Sequence, residues 1–503
     1  MRRRDLPVIP LSSESARPHV GTDAQTVNLG QGPAGPVDGP RVGLVTLGCD
    51  KNTVDSEHLM AALVSQGALV SDEVQDTDVI IVNTCGFIEA AKEQSIETIL
   101  QACRLKEEGQ VKAVVALGCM VQRYKADLRR EIPEVDLFLG LTELTQLVPV
   151  LRRRGLLPEE SELAPNMELP PRVLSTETPH TSFLKISEGC DHTCSFCAIP
   201  LMRGLHRSSP VVDLVQEARF LEAQGVKELN IISQDTTWYG KDRRRAERVH
   251  ASGVSPGSWA REGGAGETSL LPDLLRALLE GTSIPWFRLF YMYPSGITPE
   301  VVALLASESR LLPYLDMPVQ HASDRILKAM RRPERQATIR ESVRWLRESV
   351  PDLTLRSTVM VGFPGETEED FRVLLELLEE VRFDRVGAFA FSAEEDTPAA
   401  EMEGQVPQDV KAERLETLLA LQRGISFELN IEQVGRRTVA MVDRVVDDDP
   451  EFAFQARTVG QAPDVDGITH LHAAPEVAPG DFVEVEIVDA LDYDLIGLVR
   501  RRL

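Results

Sequence analysis

The chain has 503 residues and a formal net charge of −25, from 79 Asp and Glu against 54 Lys and Arg. Such a length predicts three or four domains, and so acidic a balance disfavours a generic binder of phosphate backbones while permitting a basic protein partner. No apolar stretch approaches a membrane span, so no membrane association is expected, and seven cysteines in a chain expected in the reducing cytoplasm point to metal or redox chemistry rather than disulfides.

Residues 1–40, rich in Pro, Gly, Ser and Gln, read as a disordered tail. The opening MRRRDLPVIPL has basic residues but no adequate apolar core, and two prolines interrupt it, so a signal peptide is not expected. Residues 41–150 alternate strand and helix. VGLVTL, DVIIVN and AVVALG are continuous apolar runs of the kind buried parallel strands show. Helical patterns from Asp55 to Gln66 and from Ile88 to Lys106 lie between them. This predicts a doubly wound α/β domain, in which ligands sit beyond the carboxyl ends of the strands. Cys49, Cys85 and Cys119 each follow one of the apolar runs, so they are expected to converge at that edge. Residues 151–180 are polar and Pro-bearing and read as a linker.

Over residues 181–407 the alternation starts afresh, with strand-like segments FLKIS, ELNIIS, WFRLFYM, YLDMPV, LRSTVMV and VGAFAF. Six strand–helix units predict a partial (β/α)6 barrel, whose active site belongs at the C-terminal ends of its strands. Cys190, Cys194 and Cys197 follow the first of those strands. Lys241–Thr268 is a polar, Gly-rich insertion expected to be a mobile loop. Residues 408–432 read as a connecting helix. Residues 433–503 hold five short alternating segments, TVAMVDRV, EFAFQARTV, GITHLH, DFVEVEIVDA and LIGLVR, which predict a small β-barrel of the nucleic-acid-binding kind.

The cysteines carry the chemistry. Three thiolates hold three irons of a four-iron cluster and leave the fourth open to a ligand, so two triplets suggest two reactive clusters. For the tight set, EGCDHTCSFCAIP, structural zinc is the competing reading, since His192 supplies a fourth donor type. That histidine lies between two of the cysteines on a short loop, an awkward place for a tetrahedral cage. Cys190-x3-Cys194-x-Phe196-Cys197 resembles the signature of radical S-adenosylmethionine enzymes. The resemblance implies an open iron that binds the cofactor and a cluster electron that cleaves it to a carbon radical, with Phe196 packed beside the adenine. By the same resemblance Met360, Val361 and Gly362 are a stretch that touches adenine; a strand end with a turn is the plainer reading. Gln234, Asp235, Gln320 and His321 end the second and fourth barrel strands, where they either bind ribose, methionine or substrate or support groups that do. The arginine runs Arg152–Arg154 and Arg243–Arg245 read as solvated, whereas Arg331 and Arg332 are candidates to meet substrate.

Singly, Cys49, Cys85 and Cys119 read as small buried hydrophobes, as Cys103 does. Together, in GCDKN, NTCGFI and LGCM, they resemble the N-terminal domain of the methylthiotransferases, where three such cysteines hold a second [4Fe-4S] cluster; Asn52 and Asn83 match as positioning residues. The resemblance covers residues 41–503, in the order methylthiotransferase domain, radical barrel, TRAM-type β-barrel. TLGCDKNTVDSE, IISQDTTWYG and YLDMPVQHASDRILKAMRRP resemble the branch that modifies the β-carbon of an aspartate in small-subunit ribosomal protein twelve, rather than the branch that modifies an adenosine of transfer RNA. The family implies that one S-adenosylmethionine methylates sulfur on the second cluster and another is cleaved to the radical. It also implies an external electron donor such as flavodoxin or ferredoxin. Charge argues independently: from Val434 onward there are fourteen Asp and Glu against seven Arg and no Lys. That surface suits a basic ribosomal protein better than RNA, with a merely solvated acidic face as the plainer alternative. A non-catalytic iron–sulfur or zinc scaffold is the remaining competing class.

Overall fold

The computed structural model describes residues 39–71, 77–158, 171–174, 178–243, 269–474 and 476–503. Residues 1–38 of the expected tail, 159–170 and 175–177 of the expected linker, and 244–268 of the expected insertion lie outside them. Among the described residues no helix is long and apolar enough to cross a membrane. The chain divides into two compact units, Met1–Glu177 and Thr178–Leu503.

The first unit is a five-stranded sheet of β1 (Arg41–Thr46), β2 (Leu69–Ser71), β3 (Val79–Thr84), β4 (Ala113–Gly118) and β5 (Leu137–Leu139) in the order β2-β1-β3-β4-β5. Every pairing is parallel. All six residues of β3 and all six of β4 are buried, as a sheet covered on both faces requires. One face packs Val42, Val79, Ile81 and Val115 against the helices Asp50–Val64 and Leu147–Arg153. The other packs Ile80, Val82, Val114 and Ala116 against Glu89–Glu107 and Cys119–Glu131. This is the doubly wound arrangement, with its change of winding direction between β1 and β3. The expected linker differs at both ends. Leu151 belongs to the helix Leu147–Arg153, and Leu151, Leu157 and Val173 join the first core. The buried Arg172 guanidinium donates from Nε to Glu57 Oε2 at 3.0 Å.

In the second unit six parallel strands lie in sequence order. They are β6 (Thr181–Lys185), β9 (Glu228–Ile232), β10 (Trp286–Leu289), β11 (Leu311–Asp316), β12 (Thr354–Val361) and β13 (Arg385–Ala390). This is the open, partial barrel. A two-stranded pair, β7 (Ser187–Glu188) and β8 (Arg207–Ser208), brackets the segment that carries the tight cysteine triplet. The helix Gln408–Ile431 lies on the β13 side and is pinned there: Gln422 Nε2 donates to Phe383 O at 2.9 Å and Ser426 Oγ to Asp384 O at 2.9 Å.

The C-terminal strands β14 (Arg437–Val445), β15 (Phe454–Thr458), β16 (Thr469–Leu471), β17 (Phe482–Ala490) and β18 (Leu495–Arg502) close into a barrel around Val442, Ala456, Leu471, Val483, Val485 and Ile487. This barrel sits on the amino ends of the parallel strands. Glu228, the first residue of β9 and fully buried, accepts from Arg288 Nε at 2.9 Å and from Arg457 Nη1 at 2.6 Å. Arg457 also donates to Asp443 Oδ2 at 2.8 Å and to Thr181 Oγ1 at 3.1 Å. Tyr314 Oη donates to Asp466 Oδ2 at 2.7 Å, and Trp286, which opens β10, meets Phe482 edge-on at 5.0 Å.

Candidate cysteine centres

Register explains how the loose triplet gathers. Thr46 pairs with Asn83, Asn83 with Leu117 and Thr84 with Gly118. Cys49, Cys85 and Cys119 therefore leave the sheet at one level, with Cys49 and Cys85 flanking the change of winding direction, where such sheets bind ligands. Cys49 caps the helix Asp50–Val64, and Cys119 opens Cys119–Glu131. Glycines let the three loops close up. Gly48 and Gly118 both have φ +103°, a conformation that disfavours any side chain. A Cβ on Gly48 falls 2.8 Å from Cys85 Cβ; one on Gly86 falls 2.8 Å from Met120 Cα; one on Gly118 falls 2.7 Å from Thr84 O. Asn52 and Asn83 tie the loops together. Asn52 Nδ2 donates to Leu47 O at 2.6 Å and to Thr84 O at 3.3 Å, and its Oδ1 lies 3.8 Å from Cys119 Sγ. Asn83 Nδ2 donates to Asn52 O at 3.1 Å and to Ser56 Oγ at 2.9 Å. Ser95 Oγ accepts from Cys85 N and donates to Cys85 O, both at 3.0 Å. Cys49 is exposed, Cys85 half-buried and Cys119 buried. Cys103 packs in the core of the same unit, where burial pushes its thiol up to about 11, so it stays an inert thiol.

The tight triplet lies on a loop held from several sides. Cys190 N donates to Gly204 O at 3.0 Å, Ser195 N to Met330 O at 3.1 Å, Ser195 Oγ to Ala329 O at 2.8 Å and Ala399 N to Ser195 O at 2.8 Å. The three thiols are half-buried. Burial pushes the Cys197 thiol up to about 12 and Cys190 higher still, so each needs a bound cation to exist as thiolate. Cluster iron would supply such a cation, and a set of three thiolates fits a cluster in which each takes a different iron. Among the described residues no three Cys, His, Asp or Glu side chains gather around one single ion; a cluster does not ask them to.

His192, weighed above as a zinc donor, is otherwise engaged. Its Nε2 lies 2.6 Å from Asp235 Oδ2, and its ring stacks on Tyr293 at 4.1 Å and meets Trp238 edge-on at 4.8 Å. Asp235 Oδ1 accepts from Thr237 N at 2.9 Å and Thr237 Oγ1 at 2.6 Å, so the carboxylate that orients His192 is itself fixed. Gln234 and Gln320 differ: each has a buried Oε1 with no hydrogen-bond partner among the described residues, the mark of an acceptor awaiting a ligand or water. Gln320 also holds φ +69° and is fixed by its N to Thr358 O at 2.9 Å. Glu188, 3.5 Å from Gln234 Nε2, is raised by burial but held down to about 2 by Lys185 and Arg203, so it stays anionic. Phe196 packs beside Ile326, Met330, Met360, Phe363 and Phe391. Val361 is fully buried and its carbonyl accepts from Phe391 N at 2.9 Å. His321 is buried with Nε2 3.4 Å from Glu366 Oε2, which in turn accepts from Gly362 N at 2.9 Å.

Residues 41–140 match the family described as uncharacterized protein family UPF0004, residues 184–378 the radical SAM superfamily and residues 434–499 the TRAM domain. The ribosomal protein uS12 methylthiotransferase RimO of Desulforudis audaxviator (strain MP104C) is 43% identical over 90% of this chain and 96% of its own length. This chain belongs to the RimO family. The RimO protein of Anaeromyxobacter sp. (strain K) is 42% identical over 92% of this chain and 94% of its own. Among solved structures, the radical S-adenosylmethionine methyltransferase TsrM of Kitasatospora setae covers 82% of this chain and 79% of its own at TM-score 0.46 and 14% identity.

Around the tight triplet this RimO-family chain holds two residues that sequence reasoning passed over, Tyr293 and Trp238. Tyr293 Oη lies 3.5 Å from Cys194 Sγ, and burial holds that hydroxyl well above its ordinary range. Arg332, a candidate to meet substrate, is buried with its guanidinium 3.6 Å from the Tyr293 ring centroid. The available signal was weak: FYMYP is aromatic-rich at the end of the third barrel strand, where barrel sites form.

Proposed function

We propose that this chain is a radical S-adenosylmethionine enzyme that installs a methylthio group on the β-carbon of an aspartate in ribosomal protein uS12. It works with two [4Fe-4S] clusters, one on Cys49, Cys85 and Cys119 and one on Cys190, Cys194 and Cys197. One observation carries the reading. In a chain 43% identical over 90% of its length to a uS12 methylthiotransferase, each triplet lies beyond the carboxyl ends of the strands of a parallel sheet.

The target bond accounts for the machinery. A C–H beside a carboxylate is barely acidic, so no side-chain base removes it usefully near neutral pH, and it has to leave as a hydrogen atom. When bound, S-adenosylmethionine and the clusters supply the carbon radical that takes that atom and the methylated sulfur that replaces it. The chain's own residues do the rest. Ser195 anchors the cysteine loop to Ala329 and Met330, and Asp235 fixes His192 against Tyr293. Gln234 and Gln320 offer their unpaired oxygens to the ammonium or hydroxyl hydrogens of S-adenosylmethionine, with Phe196 and Val361 on the apolar side.

The C-terminal barrel favours uS12 over RNA. All seven of its arginines are engaged within the chain: Arg437 and Arg500 with Glu486, Arg501 with Glu484, Arg502 with Asp481, Arg436 with Asp352, Arg457 with Glu228 and Asp443, and Arg444 with Gln455. Phosphates meet no spare cation there, while Asp447 and Asp448 stand exposed for a basic partner. A one-electron donor such as flavodoxin or ferredoxin serves the enzyme in the cytoplasm. The test is competition in one tube. Anaerobically reconstituted protein receives S-adenosylmethionine, sulfide and dithionite with both uS12 and unmodified transfer RNA, and mass spectrometry locates the added group. A methylthio-aspartate is expected. A methylthio-adenosine overturns the substrate assignment, and no S-adenosylmethionine cleavage at all returns the chain to the scaffold reading.

A further inference from the structure

We infer that Tyr293 donates a hydrogen bond to the cluster ligand Cys194 and so raises the reduction potential of the cluster that cleaves S-adenosylmethionine. The inference rests on the cluster assignment proposed above and goes beyond it. Tyr293 Oη lies 3.5 Å from Cys194 Sγ, an ordinary separation for a hydrogen bond to sulfur. As an iron ligand Cys194 is a thiolate without a proton, so only the phenol can donate. A donor to a ligand sulfur draws off negative charge, which favours the reduced, more negative form of the cluster.

The ring is built to hold that pose. His192 lies flat on one side, 4.1 Å away with an interplanar angle of 6°, and Asp235 fixes His192 in turn at 2.6 Å. The Arg332 guanidinium stands 3.6 Å from the ring centroid, and is itself held by Pro318 O at 2.7 Å and Glu334 Oε2 at 3.2 Å. A cation on the ring polarises the phenol and strengthens its O–H as a donor. Two fixed neighbours hold the ring, and with it the phenolic oxygen, in place, and Tyr293 is only 7% exposed. Tyr293 is a positioning and tuning residue; it moves no proton in the reaction.

The test is a redox titration followed by electron paramagnetic resonance. It uses the full chain carrying C49A, C85A and C119A, so that a single cluster titrates. Tyr293→Phe keeps the ring and removes the hydroxyl. Its cluster is expected to reduce about tenfold less favourably, the loss of one hydrogen bond to a charged group, which for one electron is about 59 mV more negative. Iron content is expected to match the parent. Arg332→Met leaves the hydroxyl and removes the cation, and is expected to shift the potential the same way by less. Unchanged potentials in both variants overturn the inference. Should Tyr293→Phe fail to hold its cluster, 3-fluorotyrosine at position 293, a stronger donor of nearly the same shape, decides alone: a higher potential supports the inference and an unchanged one overturns it. A parent protein that binds no iron on this loop refutes the underlying cluster assignment instead.

Discussion

Gly118→Ala is the sharpest probe of the loose triplet. Gly118 closes β4 one residue before Cys119, at φ +103° and ψ −160°, a region essentially reserved for glycine. Forcing alanine there costs about 1–3 kcal/mol in backbone strain alone. The new Cβ also falls 2.7 Å from Thr84 O and 2.8 Å from Thr84 N, and against Asn83 Oδ1. The two Thr84 atoms are backbone of the neighbouring β3, where Thr84 pairs with Gly118, and they cannot swing aside as a flexible side chain does. The strand end must shift and carry Cys119 away from Cys49 and Cys85. After anaerobic reconstitution the variant is expected to hold about half the iron of the parent, because Cys190, Cys194 and Cys197 lie in the other unit. It should keep reductive cleavage of S-adenosylmethionine while methylthio transfer to uS12 falls at least about tenfold, the equivalent of a 1.4 kcal/mol displacement of the ligand geometry. Gly109→Ala is the control: φ is +77° there too, but the added Cβ meets nothing within 4 Å. A Gly118→Ala protein with full iron and full transfer would refute the convergence of these three cysteines on one cluster.

Any one of the six single Cys→Ala variants at the two triplets is expected to abolish methylthiolation, read by mass spectrometry of uS12. Gln234→Ala and Gln320→Ala each remove an acceptor oxygen that has no partner, and each is expected to weaken S-adenosylmethionine binding about tenfold in calorimetry, with iron content intact. Arg457→Met strips the buried Glu228 and Asp443 of a shared cation and is expected to cost about 3–5 kcal/mol in urea unfolding, as breaking a buried pair does; a loss below about 1 kcal/mol counts against the network. The same site sets an acid limit. Burial raises the Asp443 carboxyl, but the hydrogen bond from His180 and the charge of Arg457 outweigh that and hold it below its usual value. Its contribution is therefore complete above the unfolded carboxylate value of about 3.9 and is lost as pH falls through the lower folded value. In Arg457→Met the folded value moves up toward the unfolded one, so this acid-dependent loss is expected to shrink, visible as a shallower acid limb in the unfolding midpoint.

How far the sequence discloses this molecule depends on the range of the interaction. The six barrel strands and five C-terminal strands are legible because strand periodicity and turn residues are local signals. β2, β5, β7 and β8 go unseen, being two or three residues long; β16 is as short but lies within the turn-bounded segment GITHLH. The helix after Cys49 begins at Asp50 rather than Asp55 because its first turn, DKNTV, buries Lys51, Asn52 and Val54, of which two are polar and break the apolar spacing. The cysteines stand out because one chemistry demands one residue type at strand ends. Tyr293, His192 and Arg332 do not: their stack joins positions about a hundred residues and about forty residues apart, and nothing in any one segment announces its partner.

The position of the acidic barrel constrains how it serves the reaction. It docks on Thr181, Glu228 and Trp286, the first residues of β6, β9 and β10, whereas Cys190, Gln234 and Tyr293 lie beyond the other ends of those strands. Strands of four to five residues at about 3.3 Å per residue separate the two ends by about 13–17 Å. Asp447 and Asp448 belong to the barrel at the amino ends, a placement that suits them to grip a second part of the same substrate. Intact uS12 is long enough to be held at both points, and a five-residue peptide centred on its target aspartate, which reaches about 7 Å to either side, is not. Reversing the charges with Asp447→Lys and Asp448→Lys is expected to raise KM for intact uS12 about tenfold with kcat kept, since rim charges act mainly on encounter, and to leave the peptide's KM unchanged. Equal losses on protein and peptide would mean that the barrel acts on the catalytic end through the fold instead of by docking.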